Sequence, residues 1–433
     1  LAVAAHAPSL DVDALKDYLT FQFCLGDKTL FKNILKLEPG HALTALFNGA
    51  RLEVKTCCYW DLQFNIDEEH DQPWFVDHLS RLIEDATRIH LRSDVPVGAQ
   101  LSGGLDSSAI VCLATRMLQG EKLQTFCGAF QEGTQFDETC YAKEVADFAG
   151  AEYHEIYVSG KELADILPRL MYFMDEPAAG PGLVPQYYVS RLAAQHVKVL
   201  LGGQGGDELF IGYARYLVAY LERCLFGAIF QTANRSRYAV TLESIVPNLP
   251  LLKSYAPMLQ SLWSEGLFDS PDRRYFKLID RSGGMAELFS ADLVQTDYSP
   301  YVAYQSIFNR DGLHSLINRI TFFDLKGPLP ALLHVEDRTS MAASIESRVP
   351  LLDHRIVEFM ANIPPNIKFC GGRMKHLFKE AVKNLVPPAI LARKDKMGFP
   401  VPFAQWTRGV ARDFVLETIL SVRVRQRGIY NMA

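Results

Sequence analysis

Val95-Pro-Val-Gly-Ala-Gln-Leu101 runs straight into Ser102-Gly-Gly-Leu-Asp-Ser-Ser108, so an apolar run ends in glycines and serines and opens a helix-like segment, Ser107 to Leu118. Three more apolar runs follow, Leu123 to Phe130, Tyr153 to Val158 and Val197 to Leu201, with helix-like Glu138 to Ala149 and Val184 to Gln195 among them. This alternation predicts a parallel sheet covered by helices, because parallel strands need a crossover between them. Ligands of such sheets bind beyond the carboxyl ends of the strands. Two glycine-rich segments fall at such ends, after Leu101 and after Leu201.

In the first of these, backbone amides and the hydroxyls of Ser102, Ser107 and Ser108 can converge on an anion. Gly103 and Gly104 let the backbone come close, and the helix N-terminus adds positive dipole. The Gly-Lys-Ser/Thr ending of the kinase and GTPase loop is absent. Asp106 would repel phosphate oxygens unless a Mg²⁺ lies between them, so a metal is implied. The plainer reading is a turn in which Asp106 and Ser107 only cap the helix.

Working outward, His41 to Phe47 and Arg51 to Tyr59 flank Asn48-Gly49, a dipeptide suited to a tight hairpin turn. Asn65 to Pro73 is polar and acidic, which predicts a boundary near Leu62 to Trp74. Leu79, Leu82, Ile83, Ala86 and Ile89 recur at helical spacing between Asp77 and His90. Beyond Tyr213 the chain reads as mostly helical, with no clear strand series.

The 433 residues, 48% hydrophobic and 22% charged, suit about two or three domains. With 44 basic and 50 acidic residues the net charge is -6, which lacks the basic surplus of a nucleic-acid binder. Eight cysteines without a Cys-x-x-Cys spacing favour a reducing compartment, the cytoplasm. No apolar run approaches the roughly 18 residues of a membrane span; Leu217 to Phe230 is broken by Glu222 and Arg223. A membrane role is not expected, and a homodimer stays open.

Ser102-Gly-Gly-Leu-Asp-Ser-Ser108 resembles the pyrophosphate-binding loop of ATP pyrophosphatases that adenylate their substrates. Within that group the chain is similar to the asparagine synthetase family. The likeness also rests on Asp175-Glu176-Pro177, Gly203-Gln-Gly-Gly-Asp-Glu-Leu-Phe210 with Gly212-Tyr213, Glu346-x-Arg348-Val-Pro-x-Leu-Asp353, and Lys396-Met-Gly-Phe-Pro400. The resemblance implies an α/β fold of the adenine nucleotide alpha hydrolase type. It would carry a helical C-terminal lobe and the remnant of an N-terminal β-hairpin. Residues 1–68 would be the tail of a glutaminase domain and 69–433 the synthetase domain, with its α/β core at about 75–215 and the lobe at about 216–433.

The implied activity is adenylation of a carboxylate by ATP with release of pyrophosphate, then attack by ammonia to give an amide and AMP. Aspartate is the first-choice acceptor and asparagine the product. ATP contacts are expected from Leu101, Ser102, Gly103, Gly104, Asp106, Ser107, Ser108, Gly128, Gly202, Gly203 and Gln204. Asp106 and Asp207 would hold Mg²⁺, and Lys396 would stabilise charge developing on the acyl group. Glu346, Arg348, Asp337, Arg338 and His154 are read as structural.

Two departures qualify this. Gln204 stands where asparagine synthetases carry a glutamate, and an amide cannot take a proton from ammonium at neutral pH. Sugar carboxylates, a β-lactam precursor or a peptide therefore remain open as acceptors, as does a scaffold without activity. The nucleophilic N-terminal cysteine of the glutaminase domain is also missing. The expectation is that the chain is an excerpt of a longer, glutamine-hydrolysing protein, or that the activity depends on free ammonia.

Overall fold

The computed structural model describes residues 9–49, 51–118, 120–177, 180–230, 241–283, 286–290, 293, 296–393 and 400–431. After helix α1 (Val12–Phe21), strands β1 (His41–Phe47) and β2 (Leu52–Cys58) pair as an antiparallel hairpin in the register His41 to Cys58 and Phe47 to Leu52. Asn48 N–H donates to Arg51 O at 3.3 Å and Gly49 has φ +86°. Asn48 therefore sits at the shoulder of the turn and Gly49 supplies its left-handed residue.

The main sheet has five strands: β3 (Val97–Gln100), β4 (Gln124–Ala129), β5 (Glu152–Tyr157), β6 (Val199–Leu201) and β7 (Glu346–Arg348). Their order is β5-β4-β3-β6-β7, and every neighbouring pair is parallel. The first four correspond to the expected apolar runs. The fifth was not foreseen as a strand, because three residues with two charges carry no period that can be read. It needs no such period, being an edge strand that pairs on one side only.

Helices α2 (Gln72–His90), α3 (Leu105–Met117), α4 (Thr139–Ala149), α5 (Gly160–Met174) and α6 (Leu183–Ala193) accompany this sheet. Helix α2 starts where the Asp71 carboxylate accepts Trp74 N–H at 3.1 Å. It buries Phe75, Leu79, Ile83 and Ala86 almost completely, a stripe at helical spacing. Burying each large side chain of that stripe contributes about 1.5–3 kcal/mol. The chain goes from β3 to β4 to β5 in one direction, then β6 takes the other side of β3. That reversal opens a crevice at the strand ends, and both glycine-rich loops face it.

Short α7 (Gly206–Phe210) and long α8 (Ala214–Ile229) lead into the helical lobe. Its core stacks Tyr216, Tyr275, Tyr304, Phe308 and Phe323, and Phe21 and Leu25 from the N-terminal segment join them. The lobe returns helix 328–341 against α6 and strand β7 against β6. The returning helix adds Leu332 and Val335 to one wall of the crevice. Among the described residues no helix is long and apolar enough to cross a membrane.

Candidate active site

Strand β3 delivers Leu101, whose N–H donates to Phe126 O at 2.9 Å, and the chain then turns through Gly103 at φ +66°. A Cβ on Gly103 would stand 2.6 Å from that of Tyr141, so α4 presses directly on the loop. Gly104 caps α3 without a side-chain hydrogen bond. Ser102 Oγ lies 3.2 Å from Ser107 Oγ at the loop mouth. Ser108 behaves differently from the expectation: it is fully buried and donates to Gly104 O at 2.6 Å. Its hydroxyl is spent holding the helix turn. Asp106 does not cap α3 either; its carboxylate points at the second loop.

The second loop follows β6 and starts α7 at Gly206. Bare backbone is required here, since a Cβ on Gly206 would lie 2.5 Å from Asp106 Oδ1 and one on Gly212 would lie 1.9 Å from Asp207 Oδ1. The close approach sets Asp106 beside Asp207. Between them stands Lys375, with Nζ 2.5 Å from Asp106 Oδ2 and 2.7 Å from Asp207 Oδ1. Burial opposes the lysine's charge, but the two carboxylates outweigh it and hold the amine above the ordinary lysine range. Its backbone is left-handed, at φ +53°, and donates to Phe210 O at 3.1 Å. The lysine is thereby anchored to the helix that carries Asp207.

Next to Asp207, Glu208 is buried and accepts Tyr213 Oη at 2.5 Å. Burial, then the neighbouring Asp207 charge, pushes its carboxyl up to about 7. The Arg215 guanidinium lies 3.8 Å over the Tyr213 ring and pairs with buried Asp324. This chain of contacts ties the site to the lobe core.

Gln204 faces a different carboxylate. Its Nε2 donates to Glu336 Oε2 at 2.7 Å, while Gln100 Nε2 and Ser347 Oγ both donate to Oε1 at 2.7 Å. Glu336 is buried, and burial raises its pKa against the effect of the Ser347 and Gln100 donors. With Nε2 turned to Glu336, the Gln204 amide keeps Oε1 as its acceptor.

The two loops border one cavity of about 470 Å³, within the range of small-molecule sites; Lys375 and Glu336 stand behind the Asp106, Asp207 and Gln204 side chains that line it. Leu101, Ser102, Gly104, Asp106, Ser107, Gly128, Gly203, Gln204 and Asp207 line it, and Leu183, Gln186, Val189, Leu332 and Val335 add a mostly apolar wall. Of the expected nucleotide contacts, Gly103, Ser108 and Gly202 stand behind this lining: Gly103 is turned to Tyr141, Ser108 to its own helix, and Gly202 N–H to Arg348 O. Lys396 lies outside the described residues. Arg393, three positions before it, donates to Gly103 O at 3.2 Å, stacks 3.8 Å over Tyr141 and pairs with Glu138.

The structural readings are located as well. Arg348 pairs with Glu346 at 2.6 Å and donates to His90 O and Arg92 O. Arg338 pairs with Asp175 at 3.0 Å. His154 lies against Phe126 and His196 on the sheet. Asp106 and Asp207 are a carboxylate pair that could hold a divalent cation such as Mg²⁺, an ion commonly held by one or two carboxylates. Among the described residues no group of three or more His, Cys, Asp or Glu forms a metal cage.

The Asparagine synthase family model matches residues 78–433. The chain belongs to the asparagine synthase family. It is similar to asparagine synthetase [glutamine-hydrolyzing] 1 of Bacillus subtilis, 31% identical over 97% of this chain and 63% of that protein. A putative asparagine synthetase [glutamine-hydrolyzing] of Mycobacterium tuberculosis is 32% identical over 92% of this chain and 59% of its own length. Amidase chry2 of Gibberella zeae is 24% identical over 92% and 63%. The chain thus spans about three fifths of the length of these curated relatives. The family resemblance carried by the loop motifs is borne out, and the parallel sheet flanked by helices agrees with the fold it implied.

Lys375, Glu336 and Gln100 touch the expected site residues or each other but were not singled out from the sequence, and Tyr213 was quoted only within its motif. Glu336 had a signal, for it falls on the buried stripe of its helix with Leu329, Val335 and Thr339. Lys375 had none, since Arg373, Lys375 and Lys379 read alike as solvated charges.

Proposed function

We propose that this chain joins ammonia to a carboxylate at the expense of ATP, adenylating the acid and releasing pyrophosphate before the amide forms. The carrying observation is that an anion-ready loop and the carboxylates of Asp106 and Asp207, bridged by Lys375, meet at one cavity. The Ser102 and Ser107 hydroxyls and the first-turn amides of α3 would hold the pyrophosphate as it leaves. Asp106 and Asp207 would hold Mg²⁺, which when bound supplies neutralisation of phosphate charge. Leu101, Gly128 and Gly203 leave room for adenosine. Lys396 retains its proposed role in stabilising charge on the acyl group.

Aspartate is the first acceptor to test, giving asparagine. The orientation of Gln204 favours a second reading, in which the acceptor differs from aspartate. With Nε2 committed to Glu336, Gln204 can accept a hydrogen bond from the incoming nitrogen and orient it, but it removes no proton. Residues 1–68 as a glutaminase tail, free ammonia as the nitrogen source and a cytoplasmic setting belong to the same proposal. Mg²⁺-dependent pyrophosphate release from ATP, measured over aspartate, sugar carboxylates and peptide acids with and without ammonia, tests it. Release with an amide product supports the proposal and names the acceptor. Silence across the panel with ATP binding intact refutes it in favour of a scaffold.

A further inference from the structure

The two carboxylates assigned to Mg²⁺ already share a cation. Lys375 takes one oxygen from each, Oδ2 of Asp106 at 2.5 Å and Oδ1 of Asp207 at 2.7 Å. The lysine side chain is 13% exposed and the aspartates 17% and 33%. Such a pair attracts its counter-ion under weak solvent screening. The arrangement is built from several directions. Gly212 gives up its side chain to it, because a Cβ there would stand 1.9 Å from Asp207 Oδ1 and 2.4 Å from Lys375 Cε. The left-handed backbone at Lys375 and its hydrogen bond to Phe210 O keep the stem in register. A non-glycine residue persists there because its surroundings hold it.

Charge arithmetic gives the consequence. Two carboxylates and one ammonium leave a net charge of minus one, and half of the carboxylate oxygens face the ammonium. A divalent ion arriving alone would meet a nearby positive charge and too few ligands. An ion arriving with a triphosphate brings oxygen ligands and about four negative charges, which the ammonium then helps to balance.

We propose that Lys375 is a positioning residue that closes the Asp106–Asp207 pair to a free divalent cation, so that metal is admitted together with the nucleotide. The proposal rests on reading the cavity as an ATP site. It makes metal and nucleotide binding strongly coupled, with the lysine as the source of much of that coupling.

The test is a Mn²⁺ titration followed by electron paramagnetic resonance, on this chain and on Lys375→Met and Lys375→Arg. Each is measured with and without α,β-methylene-ATP, which cannot release pyrophosphate. The parent chain is expected to bind Mn²⁺ at least tenfold more weakly without the analogue than with it. Lys375→Met should bind Mn²⁺ alone at least tenfold more tightly than the parent and show a smaller effect of the analogue. Lys375→Arg, which keeps the charge, should resemble the parent. Equal nucleotide-free affinity in the parent and Lys375→Met overturns the proposal. If Lys375→Met fails to fold by circular dichroism, Lys375→Gln takes its place, and parent binding of Mn²⁺ that is indifferent to the analogue overturns the proposal by itself. Failure of the analogue to bind the parent would instead refute the ATP reading, while the Mn²⁺ comparison between parent and variant still decides the lysine.

Discussion

Gly212→Ala adds one methyl group and removes no charge, which makes it a clean probe of the carboxylate cluster. The new Cβ would stand 1.9 Å from Asp207 Oδ1, whereas ordinary contact begins near 3.4 Å. The carboxylate must therefore retreat by about 1.5 Å, and Lys375 Cε, 2.4 Å from the same point, by about 1 Å. Misplacement of a positioning group by about 1 Å can cost about 10²-fold in rate, equivalent to about 2.7 kcal/mol of barrier. The displaced atoms are side-chain ends, so the folding cost should stay near the lower end of about 1–3 kcal/mol for overpacking. Pyrophosphate release should fall about 100-fold or more while the thermal midpoint drops by no more than a few degrees. A variant within threefold of the parent would refute the placement of Asp207 and Lys375 at the reacting phosphates. Collapse of the fold would show that the glycine serves packing instead.

Asp106→Ala should abolish pyrophosphate release with the far-ultraviolet circular dichroism unchanged, and unaltered turnover would remove the aspartate from the metal role. Gln204→Glu places a second carboxylate against buried Glu336, so unfolding stability should fall by about 1–3 kcal/mol at pH 8 and less in acid. Asparagine formed at the parent rate by this variant would sink the idea that Gln204 marks a changed acceptor. Lys368, buried with Asn318 Oδ1 at 2.9 Å, has its amine pulled down by burial to about 7. The folded state thus binds fewer protons than the unfolded chain between about pH 7 and 10.5, and its contribution to stability grows as pH rises through that window. Urea unfolding should show Lys368→Met more stable than the parent by a few kcal/mol at pH 7 and the gap closing toward pH 10; a gap independent of pH would contradict the buried neutral amine.

The sheet and both loops were legible because their signals are local. Apolar runs at Val97, Gln124, Tyr153 and Val199, each followed by a helical segment, announce parallel strands within a few residues. Glycines and serines after Leu101, and glycines after Leu201, announce backbone meant to approach an anion. Strand β7 was hidden because three residues form no period, and its partner β6 lies far up the chain. The hairpin was visible in Asn48-Gly49, although its centre moved by one residue.

What the residue order determined by itself was therefore the set of short-range devices: strand, tight turn, helix N-terminus and the two aspartates that follow them. Which charges those aspartates meet was decided only in three dimensions. Lys375 reaches Asp106 across 269 positions and Glu336 reaches Gln204 across 132. Contacts of that span leave no mark on neighbouring residues, since they are set by how the lobe folds back on the sheet. The same lysine in solvent would be an ordinary surface charge. Burial between two carboxylates is what makes it part of the site, because an ion pair gains strength as water is excluded.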